Sequence, residues 1–177
     1  MKSRNNKKGF TLLEIIVVVY IFSIGILAMY RILPGIINAT TIDSSKVAAI
    51  YLAQEGIEIV RNVRDSNWLQ VPANWDNGFD TAVCGNGCEV DYRCLVDEDP
   101  KLGTGVGGCF RPYSSSDYLK IGPDGFFNHI NGIDTKFLRK ITVVSDVTSA
   151  TVTVDVLWSE KGKSYNFSEQ EILYNWY

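Results

Sequence analysis

The sequence predicts an α+β protein. A long N-terminal helix, its first half embedded in a membrane, packs on a C-terminal antiparallel sheet. Three observations predict this. An apolar run extends from Phe10 to Met29 and contains one carboxylate, Glu14. Residues 36–66 repeat their apolar side chains with a helical period. From Tyr118 onward short segments alternate apolar and polar side chains with a period of two.

The N-terminal segment comes first. Lys2, Arg4, Lys7 and Lys8 form a basic leader without acidic residues, ending at Gly9. From Phe10 to Tyr30 a helix rises about 31 Å at about 1.5 Å per residue. That matches a bilayer hydrocarbon core of about 30 Å. A secretory signal peptide would have a shorter apolar core followed by a small-residue cleavage site. Here the bulky Tyr30-Arg31-Ile32-Leu33 follows instead. A plain single-pass anchor accounts for the length and the basic flank, but not for Gly9 or Glu14. An acidic residue at the centre of a lipid-buried helix costs roughly 2.5–3.5 kcal/mol. Glu14 lies near one end, where the cost is smaller, yet apolar residues flank it on both sides. Cleavage after Gly9 would create a cationic amine on Phe10, four residues before Glu14, in the same helix or facing a neighbouring one.

Gly9-Phe10-Thr11-Leu12-Leu13-Glu14 with its apolar continuation resembles the N-terminus of type IV prepilins and type II secretion pseudopilins. The resemblance covers these six residues and the run after them. It implies a pilin-like fold and cleavage by a prepilin peptidase between Gly9 and Phe10. It also implies N-methylation of Phe10 by the same enzyme. Glu14 would then neutralise the Phe10 amine of an adjacent subunit during filament growth. Residues 1–9 are therefore expected to be a removed leader, and 10–33 a transmembrane and assembly helix.

Residues 34–66 are expected to form the amphipathic half of the same helix. Pro34 removes a backbone donor and crowds the carbonyl four residues earlier, so a kink between Tyr30 and Pro34 is expected. Gly25 weakens the helix by up to about 1 kcal/mol relative to alanine. The resemblance implies that part of this helix can lose its helical form in a filament. Ile42, Ala49, Ala53, Ile57, Val60 and Val63 fall near one face, with Ile50 and Gly56 beside them. Asp43, Lys46, Gln54, Glu58, Arg61 and Asp65 fall mostly on the other. Asp65-Ser66-Asn67 reads as a stop, giving a helix of about 57 residues and roughly 85 Å. The stretch from Leu52 to Trp68 resembles minor pilins of the PilV and general-secretion I type.

Charge limits the function classes. Loss of the leader takes Lys and Arg from 17 to 13 against 20 Asp and Glu, a net charge near −7. Such acidity argues against a broad nucleic-acid-binding surface. The basic leader stays cytoplasmic by the positive-inside bias, and the domain after the anchor is exported.

Residues 67–116 read as a loop-rich region stapled by cysteines. Pro72, Asn74, Asp76, Asn77, Gly78, Gly85, Asn86 and Gly87 are turn formers. Trp68, Trp75 and Phe79 read as packing anchors. The even cysteine count in an exported domain predicts two disulfides among Cys84, Cys88, Cys94 and Cys109, in any of three connectivities. Zinc is the alternative, but only Cys84 and Cys88 are closely spaced. Asp76, Asp80 and Asp97-Glu98-Asp99 raise a calcium reading, against which no EF-hand spacing is present. The glycine-rich Gly103–Gly108 stretch lacks the strand, helix and Lys-Ser/Thr of a phosphate loop.

Residues 117–177 read as an antiparallel sheet. Tyr118–Ile121 and Phe126–His129 flank a Gly122-Pro123-Asp124-Gly125 turn. Lys136–Ser145 is an Ile- and Val-rich strand. Val152, Val154, Val156 and Trp158 alternate with polar residues, Glu160–Lys163 suits a hairpin turn, and Ser164–Tyr174 closes the sheet. Its apolar face is expected to lie under residues 42–63. The strand ending in Trp158, the hairpin and the last strand also resemble the C-terminal part of the minor-pilin group.

No catalytic constellation is present in the sequence. His129 is the one histidine and has no histidine partner for a dyad or zinc triad. Ser114-Ser115-Ser116 lacks the flanks of a nucleophile elbow. Cys84 and Cys88 are spaced one residue wider than the usual redox pair. No cofactor and no metal is expected. The resemblance implies a structural subunit, a minor pilin of a type IV pilus or related filament, or else a pseudopilin of a type II secretion system. An anchored ligand-binding domain is the reading from another class. Implied partners are the prepilin peptidase, other pilin or pseudopilin subunits, assembly-platform proteins and membrane lipid. The implied location is the inner or cytoplasmic membrane, then an extracellular or periplasmic filament.

Overall fold

A computed structural model describes residues 9–69, 74–79, 81–92 and 110–176. The chain divides into two compact units, Met1–Ser44 and Ser45–Tyr177. Helix α1 spans Leu12–Leu69, 58 residues, and runs through Pro34 without losing its helical assignment. It ends at Leu69, just beyond the Asp65-Ser66-Asn67 stop. The Asn67 side chain donates to the carbonyls of Trp75 (3.0 Å) and Asn77 (2.9 Å), turning the chain there.

In the first unit, α1 is apolar on every side and its large side chains are exposed from Leu12 to Ile37. A helix apolar all round belongs in lipid or among other helices. By length and composition it can cross a membrane, with a mean hydropathy of 2.6 over its most apolar stretch. Its hydroxyls are satisfied internally: Ser23 Oγ donates to the Val19 carbonyl (2.7 Å), and Thr41 Oγ1 to that of Ile37 (2.8 Å).

In the second unit, α1 becomes amphipathic and packs on a sheet. A short helix, α2 (Thr81–Cys84), leads into β1 (Cys88–Glu89), followed by β2 (Arg111–Pro112). The long strands are β6 (Phe137–Ser145), β7 (Ser149–Glu160) and β8 (Lys163–Tyr174). These five strands form one antiparallel sheet in the order β2-β1-β6-β7-β8. The even alternation of β7 buries Ala150, Val152, Val154, Val156 and Trp158. In register beside them, β6 buries Phe137, Arg139, Ile141 and Val143. Ala49, Leu52, Ala53, Ile57, Val60 and Val63 of α1 complete this core. The β7–β8 turn is Lys161-Gly162, both with positive φ (52° and 77°), as a tight hairpin requires. At the β6–β7 turn the Asp146 carboxylate accepts the backbone N–H groups of Thr148 and Ser149, each at 2.7 Å.

One expectation needs correction. Tyr118–Ile121 and Phe126–His129 do not join the main sheet. Their paired cores, β3 (Lys120–Ile121) and β4 (Phe127–Asn128), form a separate three-stranded sheet with β5 (Ile133–Asp134). The strands are two residues long, and a tight turn at Gly132 redirects the chain. A Cβ on Gly132 would stand 2.1 Å from the Ile121 carbonyl oxygen, so only glycine fits that bend. Within the loop-rich region 67–116 lie the short α2, β1 and β2, and the two strands join the main sheet.

Gly56 lets the helix approach the sheet. A Cβ there would meet Val154 Cγ1 at 3.1 Å and Arg139 Cδ at 3.4 Å. Gly56→Leu is therefore expected to lower unfolding stability by about 1–3 kcal/mol through overpacking. Gly56→Ala should be nearly neutral, because the tight contact offsets a helix preference of about 1 kcal/mol. Denaturant midpoints of the two variants, measured side by side, check this.

Candidate functional site

The first site is the start of α1. Thr11 precedes the helix, and its Oγ1 accepts the Glu14 backbone N–H at 3.3 Å, an N-cap bond. Thr11-Leu12-Leu13-Glu14 thus has the spacing of a capping box. Glu14 lies in the first turn, where a carboxylate opposes the positive end of the helix dipole. An amine on Phe10 would add positive charge at that same end. The Glu14 carboxylate is the one acidic group in the first turn able to offset both. Gly9, Phe10 and Glu14 are all exposed, Phe10 to 79%.

A family model described as the prokaryotic N-terminal methylation motif matches residues 4–30. The matched stretch holds Gly9, Phe10 and Glu14 and is similar to the N-terminus of type IV pilin-like prepilins. The prepilin motif implies processing by a prepilin peptidase and assembly with other pilins. Its family is structural rather than enzymatic. The apolar helix that carries the prepilin motif suggests membrane anchoring. The chain matches no curated relative and no solved structure.

The other sequence candidates are placed as follows. Pro34 lies inside α1. Cys84, at the end of α2, is disulfide-bonded to Cys88, at the start of β1. Cys94 and Cys109 lie outside the described residues, as do Asp80, Asp97-Glu98-Asp99 and the Gly103–Gly108 stretch. Asp76 stands in a turn. Phe79 is fully buried and meets Trp75 edge-on at 6.0 Å. Trp68 faces Trp176 at 5.7 Å, and the Arg64 guanidinium lies over both rings.

Sequence reasoning missed a second site. Glu89 of β1, Asp117 and His129 offer three metal-ligating atoms within 4.8 Å of one another. His129 Nδ1 is 3.7 Å from Glu89 Oε2 and 3.8 Å from Asp117 Oδ2. Arg111 of β2 pairs with both carboxylates, at 3.2 Å from Glu89 Oε2. Ser114 donates its backbone N–H to Glu89 Oε1 (3.1 Å), and His129 donates its own to Asp91 Oδ2 (3.0 Å). Local sequence held no signal for this. The donors come from distant points, and a lone histidine beside a turn is not a pattern.

Burial pushes the Glu89 carboxyl up to about 7, against the Ser114 N–H and Arg111. Burial, with the charges of Arg111, Arg139 and Lys120, holds the His129 imidazole down at about 3. The two shifts act in opposite directions on stability. A raised carboxyl value means that the fold loses stability as pH rises from about 4.5 to about 7. A lowered imidazole value means that it loses stability as pH falls from 6.5 to about 3. They oppose each other above about pH 4.5, and below it the histidine acts alone. With divalent ions chelated, His129→Gln is expected to flatten the acid limb between about pH 4.5 and about pH 3. The difference from the parent protein should reach up to about 1.4 kcal/mol per pH unit. Urea midpoints taken across that range check it.

Proposed function

We propose that the chain is a structural subunit, a minor pilin, of a type IV pilus or a related filament. One observation carries this: a lone carboxylate, Glu14, in the first turn of a helix apolar all round, directly behind the Gly9–Phe10 junction of the methylation motif. In this reading the peptidase cuts between Gly9 and Phe10 and methylates the new Phe10 amine. The cut subunit waits in the inner membrane, and assembly-platform proteins draw it into the filament. Each Glu14 then pairs with the Phe10 amine of a neighbour. Residues 10–33 serve as the assembly segment. Pro34 and Gly25 mark where the helix yields during packing. The second unit, with its Cys84–Cys88 disulfide, is the exported head.

Recovery of the fibres tests the reading. Fibres sheared from the cell surface should contain peptides of this chain when the peptidase is present, and none when its gene is deleted. A chain found only in membranes, with fibres from the same cells lacking it, contradicts a subunit role.

A further inference from the structure

The buried cluster beneath β1 and β2 has an imbalance that its protein partners leave in place. Once ionised, Glu89 and Asp117 bring two negative charges, and among the described residues Arg111 pairs with both. Glu89 and His129 have side chains only 1% and 2% exposed. Among the described residues, His129 Nδ1 and His129 Nε2 are buried without a hydrogen-bond partner. An unpartnered buried polar atom costs about 1–3 kcal/mol, so two bare ring nitrogens beside a carboxylate oxygen that Arg111 alone answers, at 3.2 Å among the described residues, require an explanation. Glu89 Oε1 is occupied by the Ser114 N–H, which aims Oε2 at the imidazole. The His129 backbone is held by Asp91, which fixes where the ring stands.

We propose that Glu89 Oε2, Asp117 Oδ2 and His129 Nδ1 form a binding site for a zinc-class divalent cation, which replaces the Arg111 guanidinium as their counter-charge. Zinc bonded at about 2.0–2.1 Å in tetrahedral geometry sets its donors roughly 3.3–3.4 Å apart. The two imidazole–carboxylate distances, 3.7 and 3.8 Å, need to close by a few tenths of an ångström, and the two carboxylate oxygens, within 4.8 Å of each other, draw together as the guanidinium between them leaves. A dication matches the two carboxylates charge for charge. Arg111 is the displaceable partner, because its side chain is 38% exposed and can turn to solvent. Imidazole with two carboxylates selects zinc and its transition-metal neighbours. Calcium and magnesium prefer oxygen donors alone. Water would fill the fourth position. The bound ion would link β1 of the main sheet to the segments flanking the three-stranded sheet, steadying the part of the head that has the shortest strands.

The test uses the full chain in detergent micelles, stripped with chelator, and calorimetric titration with zinc chloride. One equivalent should bind saturably, while calcium and magnesium chloride should not. His129→Gln should weaken zinc binding by more than about 10-fold. Arg111→Gln should tighten it, a response that adventitious binding by surface carboxylates or thiols does not give. Far-ultraviolet circular dichroism establishes that both variants are folded. If either is not, cobalt(II) titration of the parent protein decides: tetrahedral visible bands that zinc abolishes support the site, and their absence overturns it. No saturable zinc binding, undiminished binding in folded His129→Gln, or weaker binding in folded Arg111→Gln each overturns the proposal.

Discussion

Glu14→Ala is expected to remove the chain from assembled fibres while leaving it in the membrane. Glu14 begins a helix with exposed apolar side chains on every side. In lipid, a carboxylate and a freed amine each lose their hydration, and pairing between neighbours restores part of it. Deleting one member of a desolvated pair costs about 3–5 kcal/mol, because the other charge stays uncompensated. At about 1.4 kcal/mol per factor of ten, incorporation should fall by more than about 100-fold. Insertion should not suffer, since alanine enters a bilayer more readily than a carboxylate. The quantity to measure is the ratio of chain in sheared fibres to chain in membranes. Glu14→Asp keeps the charge and should retain part of the assembly. Normal fibres from Glu14→Ala cells would show that this electrostatic pairing does not drive assembly.

Arg139→Ala should be the most damaging single change in the head. Arg139 lies on the buried face of β6 with its side chain 1% exposed. It donates to the Val90 carbonyl at 2.6 Å and to the Leu52 carbonyl of α1 at 3.2 Å. Its guanidinium is also 3.4 Å from Glu55 Oε1. One side chain therefore joins the helix, the sheet and the segment after β1. Alanine leaves a cavity, the Val90 carbonyl without the Arg139 donor, the Leu52 carbonyl without its second donor and a carboxylate short of its cation. The expected loss is about 3–5 kcal/mol, read from denaturant unfolding of the detergent-solubilised chain. Arg139→Lys should recover only part of this, because an ammonium cannot span the same acceptors as the planar guanidinium.

The contrast between these two residues shows what was legible in the sequence. Glu14 stood out because a carboxylate in an apolar run violates the local pattern. Arg139 also violates a pattern: it shares its parity with Phe137, Ile141 and Val143, the buried set of β6. That parity is readable, but the Ile and Val content of the strand is the louder signal. The stripe of α1 is readable from its period, and Leu52 at its margin also lies in the core. The period-2 strands β7 and β8 and the Lys161-Gly162 turn were legible for the same reason: their signals are local. Strands β1, β2 and β5 were not, because two residues cannot display a period. The Glu89–Asp117–His129 cluster was the least legible of all. It arises only when β1, the segment before β3 and the residue after β4 meet in space.

The most direct test of the whole account is the mass of the N-terminal peptide of the chain extracted from native membranes. The account predicts a chain beginning at Phe10 with a methylated amine, the leader through Gly9 gone. A chain extracted with Met1 and its basic leader still attached contradicts it, because Glu14 would then have no freed amine to meet.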